Sequence, residues 1–189
     1  IILMMLLMPF ALMAQYFKGV ITLNNEETIK AYIEVPAGNN DKLKYKLSED
    51  GSKEKLSIDE VKSFEITNKD NEQEIYHPMY ISFPKDLRPS KFIISENKYW
   101  AKLVKEGKVN LYVVYSVEQA GRDINYMYRY YLVDENDKYA RYIFTPMKDP
   151  FERLKFKYAG LDYYLKMYYK DKCPEFVKKV NYDDLEKYG

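Results

Sequence analysis

Short alternations of apolar and polar residues begin at Tyr16 and recur through the first part of the chain. The segments "YFKGVITL" and "TIKAYIEV" place apolar residues at about every second position, and the polar stretch "NNEE" lies between them. Alternation with a period of two is typical of strands with one buried face, because successive side chains point to opposite faces of a sheet. These two segments therefore predict a β-hairpin.

Three further alternations follow the hairpin. They are "KLKYKLS", "KEKLSI" and "VKSFEIT", and the polar segments "EDGS" and "NKDNE" supply turn residues around them. Five short strands at this spacing predict a compact antiparallel sheet, in the form of a small barrel or a sandwich.

The segment "YHPMYISFPKDLRPS" contains three prolines. Proline has no backbone N–H to donate to a sheet ladder, so within sheets it is mostly confined to edge strands and bulges. We therefore expect this segment to bar a continuous central strand and to form an edge or a crossing between two halves of the β region.

A second β-meander is predicted after the prolines. "KYWAKLV" and "KVNLYVVYS" flank "KEG", where Gly107 can take the positive φ of a tight hairpin, and "NYMYRYYLV" and "KYARYIFT" are joined by "DENDK". Residues 126–133 are apolar or amphipathic on both faces. That pattern favours a central strand, covered by sheet on one side and by helices on the other.

The spacing changes to three and four residues after Asp149. "DPFE" offers an acidic N-cap before a proline at the first helical position, which predicts a helix start. The apolar residues of this helix form one stripe: Phe151, Leu154, Tyr158, Leu161, Leu165 and Tyr168. A short helix is predicted from Pro174 to Val180, and a last capped turn in "NYDDLEKYG". The fold class is therefore α+β, mainly antiparallel β over residues 15–148, with helices over residues 149–189 packed on the sheet.

The first fourteen residues, "IILMMLLMPFALMA", are uncharged and almost wholly apolar. A membrane-spanning helix needs roughly 20 apolar residues, so residues 1–14 predict a signal peptide cleaved between Ala14 and Gln15. We expect an exported protein that is periplasmic, outer-membrane-associated or extracellular, with no stable membrane span after signal removal. The alternative is an anchored or buried N-terminal helix.

The charge balance argues against nucleic acid as a partner. Lys and Arg number 30 against 29 Asp and Glu, which leaves no long-range field to gather phosphate groups. A single cysteine excludes an internal disulfide, so packing alone must stabilise the mature domain.

Several segments resemble, in the same order, a family of uncharacterised exported proteins from Bacteroidota. The resemblance lies in "ALMAQ", "GVITLNNEETIKAYIEV", "VKSFEI", "AKLVKEGKVNLYVVY" and "YYLKMYYKDKCPEFVKKV". The family usually carries glycine where this chain has Asn25 and Ala31. The resemblance implies export and a β-rich architecture, and it supplies no assigned activity and no catalytic residues.

Cys173 precedes Pro174, so it is predicted to be the N-cap of the short helix, where the helix dipole would favour a thiolate. A thiol enzyme also needs a base or a second cysteine, and the chain offers only His77, far away in the sequence. We therefore predict a structural role, with a small buried or half-buried side chain closing the helix start.

Metal and carboxylate chemistry lack complete motifs. There is one histidine and no paired cysteine spacing, which excludes the usual zinc patterns. Asp134 and Asn136 have calcium-loop spacing, but Lys138 occupies the next ligand position, so a hairpin turn explains "DENDK" better. Asp183 and Asp184 could be considered as the carboxylate pair of a glycosidase. Neighbouring residues on a helix point in different directions, however, so these two look like first-turn helix acids. We predict no metal, no cofactor and no enzymatic activity.

The remaining feature is aromatic, with 21 tyrosines and one tryptophan. Tyrosine is favoured in strands and at core margins, which explains most of them by packing. Tyrosine rows can also bind glycans or peptides through a flat apolar face with a hydrogen-bonding tip. The candidate ligand-face aromatics are Tyr99, Trp100, Tyr126, Tyr128 and Tyr130. The expected function is that of a structural or interaction protein acting on another cell-envelope component, and the alternative is a glycan- or peptide-binding module.

Overall fold

The computed structural model describes residues 15–85, 91–120, 123–146 and 154–179, which contain twelve strands and two helices. The strands are β1 Tyr16–Leu23, β2 Thr28–Glu34, β3 Lys42–Lys46, β4 Glu54–Ser57, β5 Val61–Thr67, β6 Gln73–Met79, β7 Ser82–Pro84, β8 Phe92–Ile94, β9 Tyr99–Lys105, β10 Asn110–Ala120, β11 Asp123–Val133 and β12 Arg141–Phe144. The helices are α1 Leu154–Tyr169 and α2 Pro174–Lys179.

Ten strands form one sheet, in the order β12-β11-β10-β9-β6-β5-β1-β2-β3-β4, and β7 pairs with β8 in a separate sheet of two strands. All the pairs of neighbouring strands are antiparallel. The strands predicted as a small barrel or sandwich and the second meander are therefore parts of one sheet. The prediction of a mainly antiparallel α+β protein is confirmed.

The helices pack on one end of the sheet, as predicted. α1 lies against β12, and α2 lies against α1. Leu161, Leu165 and Tyr168 of the predicted stripe pack with Leu132 and Ile143 of the sheet. The predicted helix start at Asp149, the signal segment of residues 1–14 and the last turn of residues 180–189 lie outside the described residues.

Besides the hydrophobic cluster under α1, two larger hydrophobic cores lie on opposite faces of the sheet. The first core comprises Ile21, Ala31, Ile33, Leu43, Tyr45, Ile58, Val61, Phe64, Ile66, Tyr76 and Trp100. The second core comprises Ile81, Ala101, Tyr112, Val114, Tyr131 and Ala140. Trp100 and Ala101 are neighbours on β9 that point to opposite faces and belong to different cores, because side chains alternate along a strand. The first core therefore covers one face of the sheet on one side of β6 and β9, and the second core covers the opposite face on the other side of these two strands.

The prediction that prolines bar a central strand is wrong for the first proline. β6 contains Pro78 and lies between β5 and β9. Its pairing with β5 reaches only Tyr76, so Pro78 pairs with β9 alone, opposite Trp100. The Trp100 N–H donates to Gly38 on the other side of β9, at 2.9 Å, so the missing N–H of Pro78 costs no ladder bond in this pair.

The crossing predicted for this segment is present just after β6. The Ala140 N–H donates to the Tyr80 carbonyl, and the Ser82 N–H donates to the Ala140 carbonyl, each at 2.8 Å. The chain thus runs from the middle of the large sheet to β12 at its edge. This crossing encloses the second core.

Strand β11 is buried on both faces only over part of its length. Tyr131 is fully buried in the second core, and Leu132, on the opposite face, lies under α1. Tyr126 and Tyr128, farther along the same face as Leu132, are 49% and 45% exposed. The prediction of a covered strand therefore holds for the end that α1 reaches.

Neither helix in the described part of the chain is both long and apolar enough to cross a membrane.

Candidate ligand-binding groove

A groove of about 750 Å³ lies on the sheet where its buried side changes. The register aligns Tyr76, Lys102, Val113 and Tyr130 in one row across β6, β9, β10 and β11. Directly paired residues point to the same face of a sheet, so this row forms a continuous floor. The face that the first core buries continues here as the outer face of β10 and β11. We call this feature the tyrosine groove.

The loop after β2 closes one end of the tyrosine groove. Val35, Pro36 and Gly38 line it there. The Gly38 carbonyl accepts the Trp100 N–H at 2.9 Å, and the Gly38 N–H donates to the Tyr115 carbonyl at 2.5 Å. Gly38 therefore bridges β9 and β10 beyond the point where their own pairing ends. We call these two hydrogen bonds the glycine clasp.

Only glycine fits in the clasp. A Cβ atom on residue 38 would lie 2.5 Å from Val114 Cγ1 and 2.8 Å from the Tyr115 carbonyl oxygen. Both distances are shorter than any ordinary carbon contact. The loop can approach the sheet this closely because residue 38 has no side chain.

Three tyrosine rings form a cluster at the outer side of the groove. The Tyr115 ring lies 6.1 Å from that of Tyr126, with only 8° between their planes, and 5.1 Å from that of Tyr128, tilted by 44°. Burial and the two neighbouring phenols raise the pKa of Tyr115, so its hydroxyl stays protonated at neutral pH. The tyrosine cluster of residues 115, 126 and 128 thus presents neutral rings with hydrogen-bonding tips.

An ion pair lies in the floor of the groove. The Glu74 carboxylate accepts Lys102 Nζ at 2.6 Å, the Tyr76 hydroxyl at 2.6 Å and the Asn68 amide at 3.0 Å. The Glu74 side chain is 15% exposed and that of Lys102 is 36% exposed. Burial alone would raise the pKa of Glu74, but these three donors outweigh it and lower the pKa below its ordinary value. The carboxylate is therefore ionised and its charge is balanced by Lys102.

The structure separates the five aromatics predicted for a ligand face. Trp100 is only 2% exposed and packs edge-on against Phe64 in the first core, although it also lines the groove from below. Tyr99 packs against the second core, on the other face of β9. Tyr130 is half-buried and lines the groove. Tyr126 and Tyr128 are the exposed members, in the tyrosine cluster.

Most groove residues were missed by sequence reasoning, among them Tyr115, Glu74 and Lys102. Tyr115 could have been found, because it has the same alternating pattern as the tyrosines of the next strand. Glu74 and Lys102 carry no local signal of their contact, since the pairing of β6 with β9 brings them together across the long intervening segment.

The N-cap prediction for Cys173 is confirmed, whereas its predicted burial is wrong. The Cys173 carbonyl accepts the N–H groups of Phe176 at 3.1 Å and Val177 at 3.4 Å, at the start of α2, and the residue is exposed. His77, considered as its base, lies on β6 with its ring edge-on to Tyr112. Burial lowers the pKa of His77.

The predicted hairpin turn at "DENDK" is confirmed. The Asp137 N–H donates to the Asp134 carbonyl at 3.1 Å, and the Asn136 N–H donates to the Asp134 side chain at 2.8 Å. Across the described ranges, no group of three or more His, Cys, Asp or Glu residues is placed to hold a metal ion.

Comparison with known proteins gives no match. No family model matches the chain, and neither a curated protein nor a solved structure is significantly similar to it. The fold and the groove define a mainly antiparallel β protein with an aromatic surface groove. Its resemblance to exported Bacteroidota proteins stays a prediction.

Proposed function

We propose that this chain is a non-enzymatic, exported binding protein whose ligand lies in the tyrosine groove. The observation that carries the proposal is the tyrosine cluster, in which two rings almost half exposed to water adjoin a groove with an ion pair in its floor. Exposed apolar rings gain roughly 25 cal/mol for each Å² that a ligand covers. Their hydroxyl tips and the ion pair would orient polar groups of the same ligand.

The size and shape of the groove support a linear or small ligand over a flat protein surface. Its volume of about 750 Å³ lies within the usual range of ligand sites. A stable interface with a folded protein needs roughly 800 Å² from each partner. We therefore place a glycan- or peptide-binding role ahead of structural contact with another envelope protein.

The state of Glu74 supports a non-enzymatic role for this groove. A general acid or base works best with a pKa near the working pH. Glu74 instead has a lowered pKa and is held by three hydrogen-bond donors. This arrangement suits a fixed structural ion pair.

Export is the part of the proposal that rests on sequence. The apolar, uncharged segment of residues 1–14 supports a signal peptide, and the proposed compartments are the periplasm, the outer-membrane surface and the medium. Glycans and peptides of the cell envelope are available in each of them.

The test is a screen of the wild-type protein on glycan and peptide arrays, followed by calorimetry of Tyr128→Ala. We expect a ligand whose affinity falls about tenfold in the variant, since aromatic contacts each contribute roughly 0.5–1.5 kcal/mol beyond area burial. Tyr163→Ala is the matched control, because Tyr163 is a similarly exposed tyrosine on α1, away from the groove. A ligand that binds all three proteins equally, or no ligand on either array, would contradict the proposal.

A further inference from the structure

We infer that the tyrosine groove binds a neutral oligosaccharide, with sugar rings against Tyr115 and Tyr128 and sugar hydroxyls bonded to the Glu74–Lys102 pair. This inference rests on the proposed function and narrows it to one class of ligand. It follows from the charge of the groove, from its hydrogen-bonding side chains, from the geometry of its tyrosine rings and from the fact that its backbone groups are already hydrogen-bonded.

The charge of the groove argues against an anionic ligand. The charged residues that line it are Glu72, Glu74 and Lys102. Lys102 is the one cation among these lining residues, and it is already paired with Glu74 at 2.6 Å. An acidic sugar or a phosphate would find no unpaired cation there and would lie beside Glu72, so an anionic ligand is disfavoured.

The hydrogen-bonding groups suit hydroxyls. An ammonium group has three N–H donors, and Lys102 uses one of them on Glu74, which leaves donors at a partly exposed position. Glu74 Oε2, which accepts the Tyr76 hydroxyl, has a second lone pair to offer, and the exposed side chain of Gln73 offers both a donor and an acceptor. A hydroxyl both donates and accepts, so it can join this network without disturbing its charge balance.

The aromatic geometry suits rings with flat apolar faces. Tyr115 and Tyr128 lie 5.1 Å apart at their centroids and line the groove together. The ion pair lies in the same face of the sheet, since Lys102 is opposite Val113, the residue two positions before Tyr115. A sugar ring that lies on the tyrosines therefore places its edge hydroxyls toward the charged pair.

The backbone of the groove argues against a peptide added as a further strand. Strand addition requires an open sheet edge with free N–H and C=O groups. The row that forms the floor lies within the sheet, because Tyr76, Lys102, Val113 and Tyr130 each pair with neighbouring strands. The N–H and C=O of Gly38 at the end wall are both bonded as well. The groove thus offers side chains to its ligand.

The experiment is calorimetry on the wild-type protein with neutral hexasaccharides of glucose, xylose and N-acetylglucosamine, with an acidic hexagalacturonate and with a random peptide library. We expect a neutral hexasaccharide to bind, with an affinity that changes less than twofold between low and moderate salt, because no net charge is neutralised. The comparison of neutral with acidic sugars uses the natural chain, so it does not depend on the folding of a variant.

Two variants locate the binding. Lys102→Met should weaken the neutral sugar about tenfold, since a hydrogen bond to a charged group is lost, and Tyr128→Ala should weaken it by a similar factor. Lys98→Met is the matched control, because Lys98 forms its ion pair with Asp59 and does not line the groove.

The outcomes separate the inference from the proposed function. If only hexagalacturonate or peptides bind, and Tyr128→Ala weakens them, the neutral-sugar inference is wrong and the groove still binds a ligand. If Tyr128→Ala changes the affinity of no ligand in the panel, both are wrong. If neutral sugars bind and Lys102→Met has no more effect than Lys98→Met, the role given to the ion pair is wrong.

Discussion

At position 38 the chain passes between β9 and β10 with room for backbone atoms alone. The glycine clasp replaces the ladder bonds that these strands no longer give each other, and it sets the end wall of the tyrosine groove. A single residue thus couples the stability of the sheet to the shape of the groove.

Replacement of Gly38 by alanine should destabilise the protein. The added Cβ would meet Val114 at 2.5 Å, so the loop must move and both clasp bonds must weaken. Overpacking of this kind costs about 2 kcal/mol in the free energy of unfolding, measured by urea denaturation. Gly160→Ala is the control, because its added Cβ would have no atom within 4 Å apart from the adjoining residues and backbone of α1, and it should stabilise α1 by about 1 kcal/mol. Equal effects of the two substitutions would contradict the steric account.

Residue identity alone predicted the tyrosine cluster only in part. Tyr126 and Tyr128, two of the candidate ligand-face aromatics, are exposed although residues 126–133 were predicted to be covered on both faces, because α1 ends its cover of β11 near Leu132. Tyr99 and Trp100 cannot share a ligand face, since adjacent strand residues point to opposite faces, and this could have been deduced from the sequence. The contact of Glu74 with Lys102 could not, because it depends on which strands pair.

At the scale of elements, a buried carboxylate joins the helical end to the sheet. Asp137, in the turn between β11 and β12, accepts hydrogen bonds from the Tyr168 hydroxyl at 2.7 Å and from Lys172 Nζ at 3.1 Å. It also forms an ion pair with Arg141, whose Nε lies 3.4 Å away. Its side chain is only 5% exposed. Lys172 also bonds to Asp134 of the same turn. These contacts fix the end of α1 against the β11–β12 hairpin.

Acid should loosen this attachment. Burial alone would raise the pKa of Asp137, but hydrogen bonds from Tyr168, the turn backbone and Lys172 outweigh burial and lower it. A carboxylate with a lowered pKa in the fold stabilises the fold above its unfolded pKa of about 3.9, and this contribution is lost as the pH falls through the folded value. Asp137→Asn should therefore cost about 2 kcal/mol at pH 7, and this cost should shrink progressively as the pH is lowered below about 3.9, by urea denaturation over a series of pH values.

Asp162→Asn is the matched control for this prediction. Asp162 pairs with Lys166 one turn along α1, and such pairs contribute about 0.2–0.5 kcal/mol. If both substitutions had equal effects at pH 7, Asp137 would not be the residue that attaches the helix.

The alternating strands were predictable from sequence, whereas their extents were not. In "VKSFEIT", which forms β5, Phe64 and Ile66 face the first core with the exposed Glu65 between them, as alternation predicts. Val61 reaches the same core across an irregularity in the pairing of β1 with β5, which the pattern does not predict. The proline rule failed at Pro78 for a physical reason. The rule holds because proline cannot donate a hydrogen bond to a neighbouring strand. The sequence does not reveal that β5 stops pairing with β6 before Pro78.

At the scale of the whole molecule, Trp100 joins the two cores. It lies on β9, the strand whose opposite face carries Ala101 into the second core, and its indole packs among first-core residues. Its Nε1 is buried with no hydrogen-bond partner among the described residues. The fluorescence of Trp100, the only tryptophan in the chain, thus reports on the junction between the two cores.

The two cores should unfold together, because β6 and β9 belong to both. We expect tryptophan fluorescence, which follows the first core, and the near-ultraviolet tyrosine signal, which includes the second, to give one coincident urea transition. A tyrosine transition that precedes the change in tryptophan fluorescence would show that the halves are independent domains.

The glycine clasp also has a consequence for the order of events in folding. Most strand pairs join neighbours in the chain, but the clasp joins residue 38 to Trp100 and Tyr115. Closing so long a loop costs entropy that only the finished contacts offset, so we expect the clasp to form after the local hairpins. During synthesis, a chain that has emerged only as far as β6 already contains most residues of the first core, yet it has no groove. Ligand binding in the groove therefore requires the fully folded protein.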